Sequence, residues 1–165
     1  MSEKDARLSV GDKAPKFRAV AVGGDYGAGR EVSLADFHGS PVVLYFYPKD
    51  DTPGCTAQAC GLRDMWSDLA AEAKIFGVSI DSVPSHEKFI KKYRLPFPLL
   101  SDPGKEIVHA YGVWVEKSMY GRKYMGAERS TFIIDGAGKI AAIFRKVKPE
   151  EHAAIVQEAL SKLAS

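Results

Sequence analysis

The sequence predicts an α/β fold in which one mixed sheet carries helices on both faces and is extended by an N-terminal β-hairpin. Strand-like and helix-like segments alternate through the first half of the chain, which is typical of parallel strands joined by helices. Near the C-terminus, two short apolar runs flank a turn sequence, and an amphipathic helix pattern follows them. At 165 residues the chain can bury one substantial core, so residues 1–165 are predicted to form a single domain.

The N-terminal hairpin is predicted from two short strands at residues 17–22 and 31–34. The glycine-rich residues 23–29 between them lack the pattern of a phosphate-binding loop and are interpreted as the hairpin turn. Ser33 is predicted to cap a brief helical turn that ends at Phe37.

The strongest strand pattern is the apolar and aromatic run at residues 42–47. Pro48 ends it, because proline cannot donate a hydrogen bond to a neighbouring strand. A polar turn follows, and then a helix is predicted from about Thr56 through Leu69, since apolar residues recur there at spacings of three and four.

The remaining elements are predicted from the same periodicities. A core strand covers residues 73–80, and Ser85 is expected to cap a helix that ends near Tyr93. The later elements are a strand at residues 97–101, a helix at residues 102–111, a hairpin formed by residues 131–134 and 140–144, and a final helix opening at residues 148–151 with Ile155, Val156, Ala159, Leu160 and Leu163 facing inward.

Cys55 and Cys60 are the only cysteines, and Cys55 falls where the strong strand gives way to the helix. Unpaired backbone N–H groups and the helix dipole favour a thiolate at such a position. On one regular helix the two Cα atoms would lie roughly 8–9 Å apart, whereas a disulfide needs less than about 7 Å. We therefore expect a resting dithiol that forms a disulfide only after local rearrangement. From the spacing alone, two buried cysteines without chemistry are an equal alternative; the position of Cys55 favours chemistry.

Residues 45–60 resemble the active-site segment of the peroxiredoxins, and the cysteine spacing is similar to that of the bacterioferritin comigratory protein (PrxQ) branch. The family motif Pro-x-x-x-Thr-x-x-Cys is matched by Pro48, Thr52 and Cys55. The resemblance continues through residues 61–64, 99–102, 111–114 and 129–135, and so covers nearly the whole chain. It implies a thioredoxin-like fold with the additional N-terminal segment of that family.

Peroxide reduction needs a thiolate that attacks one oxygen while the other leaves, and donors that stabilise the developing charge. Thr52 is predicted to hold a hydroxyl beside the Cys55 sulfur, accepting from one group and donating to the substrate. Pro48 is predicted to shield the thiolate and fix the turn. Gly54 and Tyr45 are further candidates for the peroxide pocket, although aromatic residues in strands usually serve packing.

The resemblance implies that Arg129 supplies the cation beside the sulfur, a role that suits a permanently charged fork of donors. Gln58 is a candidate for orienting Arg129. Attack would leave Cys55 as a sulfenic acid, which Cys60, the only other thiol of the chain, would convert to an intramolecular disulfide once the helix start unwinds. Gly54 lowers the cost of that unwinding, as does Gly61. The resemblance further implies thioredoxin or a glutaredoxin-like protein as reductant, and a monomer.

Composition offers no argument for other partners. Lys and Arg exceed Asp and Glu by only two, 23 against 21, so neither nucleic acid nor an anionic membrane is indicated. No apolar run approaches the ~18 residues of a membrane span, and residues 1–11 are too polar for a signal peptide, so a cytoplasmic location is expected. No cofactor is expected. No metal is expected either, because the histidines lie far apart without ligand spacing: His38, His86, His109 and His152.

One alternative of a different class stays open: a non-enzymatic redox switch or holdase that uses the Cys55–Cys60 disulfide. Such a switch makes no demand for Thr52 or Arg129, whereas a peroxidase does. A thiol-disulfide oxidoreductase is disfavoured, because that chemistry usually requires Cys-x-x-Cys and position 58 is glutamine.

Overall fold

The computed structural model describes residues 7–164, and the other residues, which include part of the polar N-terminal stretch discussed above, lie outside that range. The strands are β1 (Arg18–Val22), β2 (Arg30–Ser33), β3 (Val42–Phe46), β4 (Lys74–Ser79), β5 (Leu99–Ser101), β6 (Trp114–Met119), β7 (Arg122–Ala127), β8 (Ser130–Ile134) and β9 (Ile140–Phe144). Seven of them form one mixed sheet in the order β2-β1-β5-β4-β3-β8-β9, and β6 and β7 form a separate hairpin. The predicted α/β fold is confirmed. The helices are α1 (Pro53–Asp64), α2 (Trp66–Ala70), α3 (Val83–Tyr93), α4 (Glu106–Ala110) and α5 (His152–Ala164).

The N-terminal hairpin is present as predicted. β1 pairs antiparallel with β2 on one side and with β5 on the other. A 3₁₀ turn at Gly24–Tyr26 occupies the glycine-rich connection, and a second one, Leu34–Phe37, follows β2. The N–H of Ser33 donates to the carboxylate of Asp36 at 2.9 Å, so this residue pair fixes the start of the second turn.

β3 is the central strand. It pairs parallel with β4 and antiparallel with β8, and all five of its residues are buried. Alternate side chains enter the two cores: Val42, Leu44 and Phe46 pack on the face that α4 covers, whereas Val43 and Tyr45 pack with Cys55 on the opposite face. Burial on both faces explains why its sequence is a continuous apolar run.

The prediction of one helix from about Thr56 through Leu69 is wrong at its start and in the middle, whereas its end lies within one residue of the end of α2. α1 begins at Pro53, with Thr52 in extended conformation as its N-cap, because proline at the first helical position loses no hydrogen bond. Met65, with φ −108° and ψ 12°, interrupts the helix before α2. The ring of Trp66 can then pack against Phe97, with centroids 5.7 Å apart.

α3 is capped by Ser82 rather than by Ser85. The Oγ of Ser82 accepts from the N–H of Ser85 at 3.3 Å, so Ser85 lies inside the first turn together with Pro84. The hydroxyl of Ser85 is thereby free to contact Asp50, which becomes relevant at the site.

The hairpin of β6 and β7 was not predicted from the sequence. Tyr120 and Gly121 form its two-residue turn, both with positive φ (53° and 77°), as hairpin turns of this length require. Arg122 and Lys123 open β7 directly after this turn.

Helices cover both faces of the sheet, and the closing hairpin β8–β9 followed by α5 is confirmed. Within residues 7–164 there is no helix whose length and apolar character would allow it to cross a membrane.

Candidate active site

Cys55 is the third residue of α1 and is only 2% exposed. The helix starts here because Thr52 adopts an extended conformation, Pro53 sets the first helical φ, and the N–H of Thr56 donates to the carbonyl of Thr52 at 2.8 Å. A thiol in the first turn lies at the positive end of the helix dipole, which favours its anion. Both Cys55 and Cys60 are free thiols.

Arg129 reaches the sulfur from the short connection between β7 and β8. Its Nη1 donates to the Sγ of Cys55 at 3.4 Å and to the Oε1 of Gln58 at 2.7 Å. Gln58 lies one turn further along α1 and is fully buried. The structure thus brings together three residues that the sequence analysis singled out, and the amide oxygen of Gln58 fixes the guanidinium that faces the thiol.

Gly54 gives the guanidinium its room. A Cβ at this position would lie 3.4 Å from Cγ of Pro149 and only 3.0 Å from Nη2 of Arg129, which is closer than ordinary van der Waals contact. Any side chain here would push against the arginine. The glycine at position 54 is therefore explained by this close approach rather than by an unusual backbone angle.

Thr52 and Pro48 border the site on the loop that precedes α1, and both are half-buried. The hydroxyl of Thr52 donates to the carbonyl of Lys49 at 2.9 Å. The sequence analysis expected this hydroxyl to donate to substrate. Because the hydroxyl already donates its proton to the Lys49 carbonyl, the Thr52 oxygen can instead accept a hydrogen bond.

A buried polar network fixes the loop that precedes α1 on its side facing the protein core. The carboxylate of Asp50 accepts from the hydroxyls of Tyr47 and Ser85, and its Oδ2 lies 2.7 Å from Nδ1 of His86. The other ring nitrogen of His86 lies 2.9 Å from the carbonyl of Leu100, which can only accept. Nε2 of His86 therefore donates to Leu100, and Nδ1 and the Asp50 carboxyl group share a second, buried hydrogen bond.

Asp51 ties the loop to α3 from the solvent side. Its carboxylate accepts from Nζ of Lys92 and from the hydroxyl of Tyr93, each at 2.8 Å. Asp51 has a positive φ of 56°, a conformation that aspartate tolerates better than most residues. The loop at residues 49–52 is thus anchored to α3 at two successive residues.

Tyr45 and His152 lie beneath the site in the core shared with Cys55. Their rings are 5.3 Å apart, and the Tyr45 hydroxyl and the His152 Nδ1 are buried without a hydrogen-bond partner among residues 7–164. Nε2 of His152 contacts Oγ1 of Thr131 at 2.7 Å. Burial lowers the pKa of His152 to about 3, with a further contribution from Arg129, so its ring is neutral. Burial, and after it the charge of Cys55, raises the pKa of Tyr45 well above its ordinary value.

Cys60 lies half-buried in the middle of α1. The intact helix between the two cysteines keeps their Cα atoms beyond disulfide range, roughly 8–9 Å against about 7 Å. The helix would have to open for the sulfurs to meet.

The sequence analysis missed three residues near this site: Asp50, His86 and His152. Asp50 lies inside the recognised segment, and its position next to a strand end was the available signal. The histidines were considered only as metal ligands, and within the described residues no three His, Cys, Asp or Glu side chains gather as a metal site.

An α/β sheet that presents a buried thiol in the first turn of a helix, facing an arginine, defines the class of thioredoxin-like thiol peroxidases. A profile of the AhpC/TSA family matches residues 10–143. The chain belongs to the AhpC/TSA family. Its relatives include a putative peroxiredoxin, bcp, of Coxiella burnetii, 49% identical over 90% of this chain and 96% of the relative, and the peroxiredoxin Bcp of Bacillus subtilis, 46% identical over 94% and 95%.

Solved structures of proteins named in the same way also match this fold. The bacterioferritin comigratory protein of Xanthomonas campestris matches with a TM-score of 0.82 at 37% identity, covering 90% of this chain and 92% of that one. A cysteine-to-serine mutant of Xylella fastidiosa PrxQ matches with a TM-score of 0.87 at 32% identity, covering 96% and 99%. The resemblance to peroxiredoxins of the PrxQ type and the thioredoxin-like fold are thereby confirmed.

Proposed function

We propose that this peroxiredoxin reduces hydrogen peroxide and organic hydroperoxides through the thiolate of Cys55. The observation that carries the proposal is the contact of Arg129 Nη1 with the Cys55 sulfur, made by a guanidinium that Gln58 holds in place. A cation at this distance stabilises the thiolate, and its second donor nitrogen can follow the charge as it moves to oxygen. Alkyl peroxide reduction is described for the Xanthomonas campestris relative, which supports organic hydroperoxides as substrates.

The substrate side of the site is formed by the loop before α1. Thr52 accepts a hydrogen bond from the peroxide, since its own proton is committed to Lys49. Pro48 limits the access of water, and Gly54 keeps the space above α1 open for Arg129. Tyr45 forms the floor beneath Cys55.

Resolution follows within one chain. The thiol of Cys60 then condenses with the Cys55 sulfenic acid: the S–S bond forms, the S–O bond breaks, and the hydroxyl group leaves with the thiol proton as water. This step requires the first turns of α1 to open, because the intact helix separates the two residues. A dithiol protein of the thioredoxin or glutaredoxin type then restores both thiols. Since no residue from another subunit is required, the proposed enzyme is a monomer. A single domain and a cytoplasmic location belong to the same proposal as expectations from the sequence.

Mass spectrometry tests the proposal directly. Reduced protein treated with one equivalent of hydrogen peroxide is expected to lose about 2 mass units in wild type, and to gain about 16 at Cys55 in Cys60→Ser. If neither cysteine reacts faster than a free thiol, the proposal fails.

Arg129→Ala separates the peroxidase from the redox switch. A peroxidase loses its fast reaction in this variant, whereas a switch continues to form the disulfide at the wild-type rate. Arg122→Ala, which removes an exposed arginine from β7, is the matched control and should leave both steps unchanged.

A further inference from the structure

Asp81 lies in the turn that follows β4 and forms a long-range contact with the loop that precedes α1. Its Oδ2 accepts from the N–H of Asp50 at 2.8 Å, across 31 positions of sequence. A carboxylate that only stabilises its own turn accepts from N–H groups a few residues away, as Asp135 does between β8 and β9. Asp81 instead binds the backbone of the loop at residues 48–52.

The position of Asp81 is fixed by the parallel strands β4 and β5. Ser79 and Ser101 are partners in the register of these strands, and both are buried. The hydroxyl of Ser79 donates to the Asp81 carboxylate at 2.7 Å, and the hydroxyl of Ser101 donates to the Asp81 carbonyl at 2.6 Å. The acceptor that the loop finds in Asp81 is therefore held by the central sheet.

The N–H of Asp50 and the carbonyl of Lys49 belong to one peptide unit. No described residue has a cis peptide bond, so this unit is planar and its N–H and C=O point in opposite directions. The N–H donates to Asp81, and the carbonyl accepts from the hydroxyl of Thr52 at 2.9 Å. A charged acceptor on the N–H also polarises the peptide and strengthens its carbonyl as an acceptor. Asp81 thus fixes the direction of the group that receives the Thr52 proton.

The direction of that proton decides what Thr52 offers to a peroxide. A threonine hydroxyl rotates freely, so it donates or accepts according to its partners. With its proton on the Lys49 carbonyl, the Thr52 oxygen presents its lone pairs. The terminal O–H is the only donor of an alkyl hydroperoxide, so an acceptor at Thr52 holds the terminal oxygen, which is the one that the Cys55 thiolate attacks.

Hydrogen bonds, rather than apolar packing, fix the conformation of this loop. Among residues 48–52 only Asp50 is buried, and its carboxyl group accepts from the hydroxyls of Tyr47 and Ser85. Those contacts hold the Asp50 side chain. The contact with Asp81 is the one that orients the peptide whose carbonyl binds Thr52.

We infer that Asp81 is a positioning residue for peroxide reduction. It orients the Lys49–Asp50 peptide, and through that peptide the hydroxyl of Thr52, so that a hydroperoxide meets a hydrogen-bond acceptor beside Cys55. Asp81 acts through the loop and not on the reacting atoms. The inference rests on the proposed function of Cys55.

The test measures two reactions of the same thiolate, with Cys60→Ser as the parent protein. Oxidation by hydrogen peroxide, followed by rapid quenching and mass spectrometry, requires a peroxide held beside Cys55. Alkylation by iodoacetamide requires only the thiolate. Asp81→Ala removes the acceptor, and Asp81→Asn keeps an oxygen acceptor without the charge. Asp135→Ala is the matched control, because Asp135 also accepts from backbone N–H groups but lies at the other end of β8 from Arg129.

Asp81→Ala is expected to be oxidised roughly 10- to 100-fold more slowly than the parent, the range of a lost hydrogen bond to a charged group, and to be alkylated at the parent rate. A neutral acceptor forms hydrogen bonds about half as strong, so Asp81→Asn should lose only about fivefold. Asp135→Ala should match the parent in both reactions. Equal losses in oxidation and alkylation, or oxidation of Asp81→Ala at the parent rate, would overturn the inference.

A double-mutant cycle with Thr52→Val gives a second test, which also applies if Asp81→Ala does not fold. Valine has no hydroxyl to orient, so in this background Asp81→Asn should cause no further loss of the oxidation rate. The same loss in both backgrounds would show that Asp81 acts on the fold as a whole, and would refute the positioning role. If the parent protein, with Asp81 and Thr52 intact, reacts with hydrogen peroxide no faster than a free thiol, it is the proposed function that fails.

Discussion

Replacing Gly54 by alanine should disturb the two steps of the proposed reaction in different ways. The new Cβ would lie 3.0 Å from Nη2 of Arg129, so the guanidinium must shift away from the contact it makes with the Cys55 sulfur. The same methyl group raises the helix propensity of the first turn of α1. The first effect slows oxidation of Cys55, and the second slows the unwinding that resolution requires.

The expected changes in rate can be estimated separately for the lost Arg129 contact and for the increased helix propensity. A hydrogen bond to a charged partner contributes about 1.5–3 kcal/mol, so complete loss of the Arg129 contact would slow oxidation roughly 10- to 150-fold. Because the end of an arginine side chain can yield by a few tenths of an ångström, the lower end, about tenfold, is expected. Glycine to alanine adds up to about 1 kcal/mol of helix stability, which reduces the unwound population about fivefold.

Gly61→Ala supplies the matched control within the same helix. Its Cβ would meet only the Cβ of Ala153, at 3.7 Å, which is ordinary contact. This variant should therefore slow disulfide formation about fivefold and leave the oxidation of Cys55 unchanged.

Single-turnover kinetics can measure both steps, with oxidation isolated in the Cys60→Ser background and disulfide formation followed by mass in the otherwise native chain. The reasoning about Arg129 is refuted if Gly54→Ala oxidises as fast as Gly61→Ala. The reasoning about unwinding is refuted if Gly61→Ala forms its disulfide at the wild-type rate.

Three further predictions concern the groups around the loop and beneath α1. Tyr45→Phe removes a buried hydroxyl without a partner and should raise the free energy of unfolding by about 1 kcal/mol in urea titrations without slowing oxidation; a slower oxidation would instead show that the hydroxyl contacts peroxide. Asp50→Asn alters a buried carboxyl group that accepts from the hydroxyls of Tyr47 and Ser85 and contacts His86, and it should lower the free energy of unfolding by about 1–3 kcal/mol. Asp51→Asn, on the exposed side of the loop, should change stability little, and equal effects would contradict the role of the buried network. The pKa of His152 is about 3 when folded and 6.5 when unfolded, so between these values the unfolded chain binds more protons. Stability is therefore full above about pH 6.5 and falls towards pH 3, by up to roughly 1.4 kcal/mol per pH unit; His152→Gln should flatten that slope, and an unchanged slope would contradict the assignment.

The elements that could be predicted from the sequence are those whose pattern is decided locally. β3 is buried on both faces, and its apolar run has no other simple interpretation. The closing hairpin of β8 and β9 surrounds a turn rich in glycine, and α5 follows with helical periodicity. The position of Cys55 in a first helical turn came from the same kind of reasoning, because a strand end, a proline and a glycine precede it.

The elements that could not be predicted depend on contacts distant in sequence. β6 and β7 form a hairpin whose outer side chains are exposed, so apolar alternation is weak, and only the Tyr120-Gly121 turn carried a local signal. Apolar spacing continues across Met65, and the break there reflects the packing of Trp66 on Phe97 rather than a sequence signal.

The residues of the candidate site also divide into those with a local sequence signal and those placed by contacts distant in sequence. Arg129 was identified only through resemblance to a family, since an arginine 74 positions from Cys55 has no local pattern that marks it. His152 reaches the site as the first residue of α5, nearly one hundred positions after Cys55, so neither periodicity nor spacing could have indicated it. Residue type predicted which chemistry was possible, and tertiary structure determined which side chains take part.

The contacts around α1 limit where the helix can open. Before it, Thr52 is tied to Lys49, within a loop that is anchored to α3. Near its end, Nη1 of Arg63 donates to the carbonyl of Tyr93 at 2.8 Å, a second link to the last residue of α3. Both contacts connect the ends of α1 to α3, which does not have to move for the two sulfurs to meet. The opening that a Cys55–Cys60 disulfide requires is therefore confined to the residues between Thr52 and Arg63, and Gly54 and Gly61 lie near the two ends of that segment.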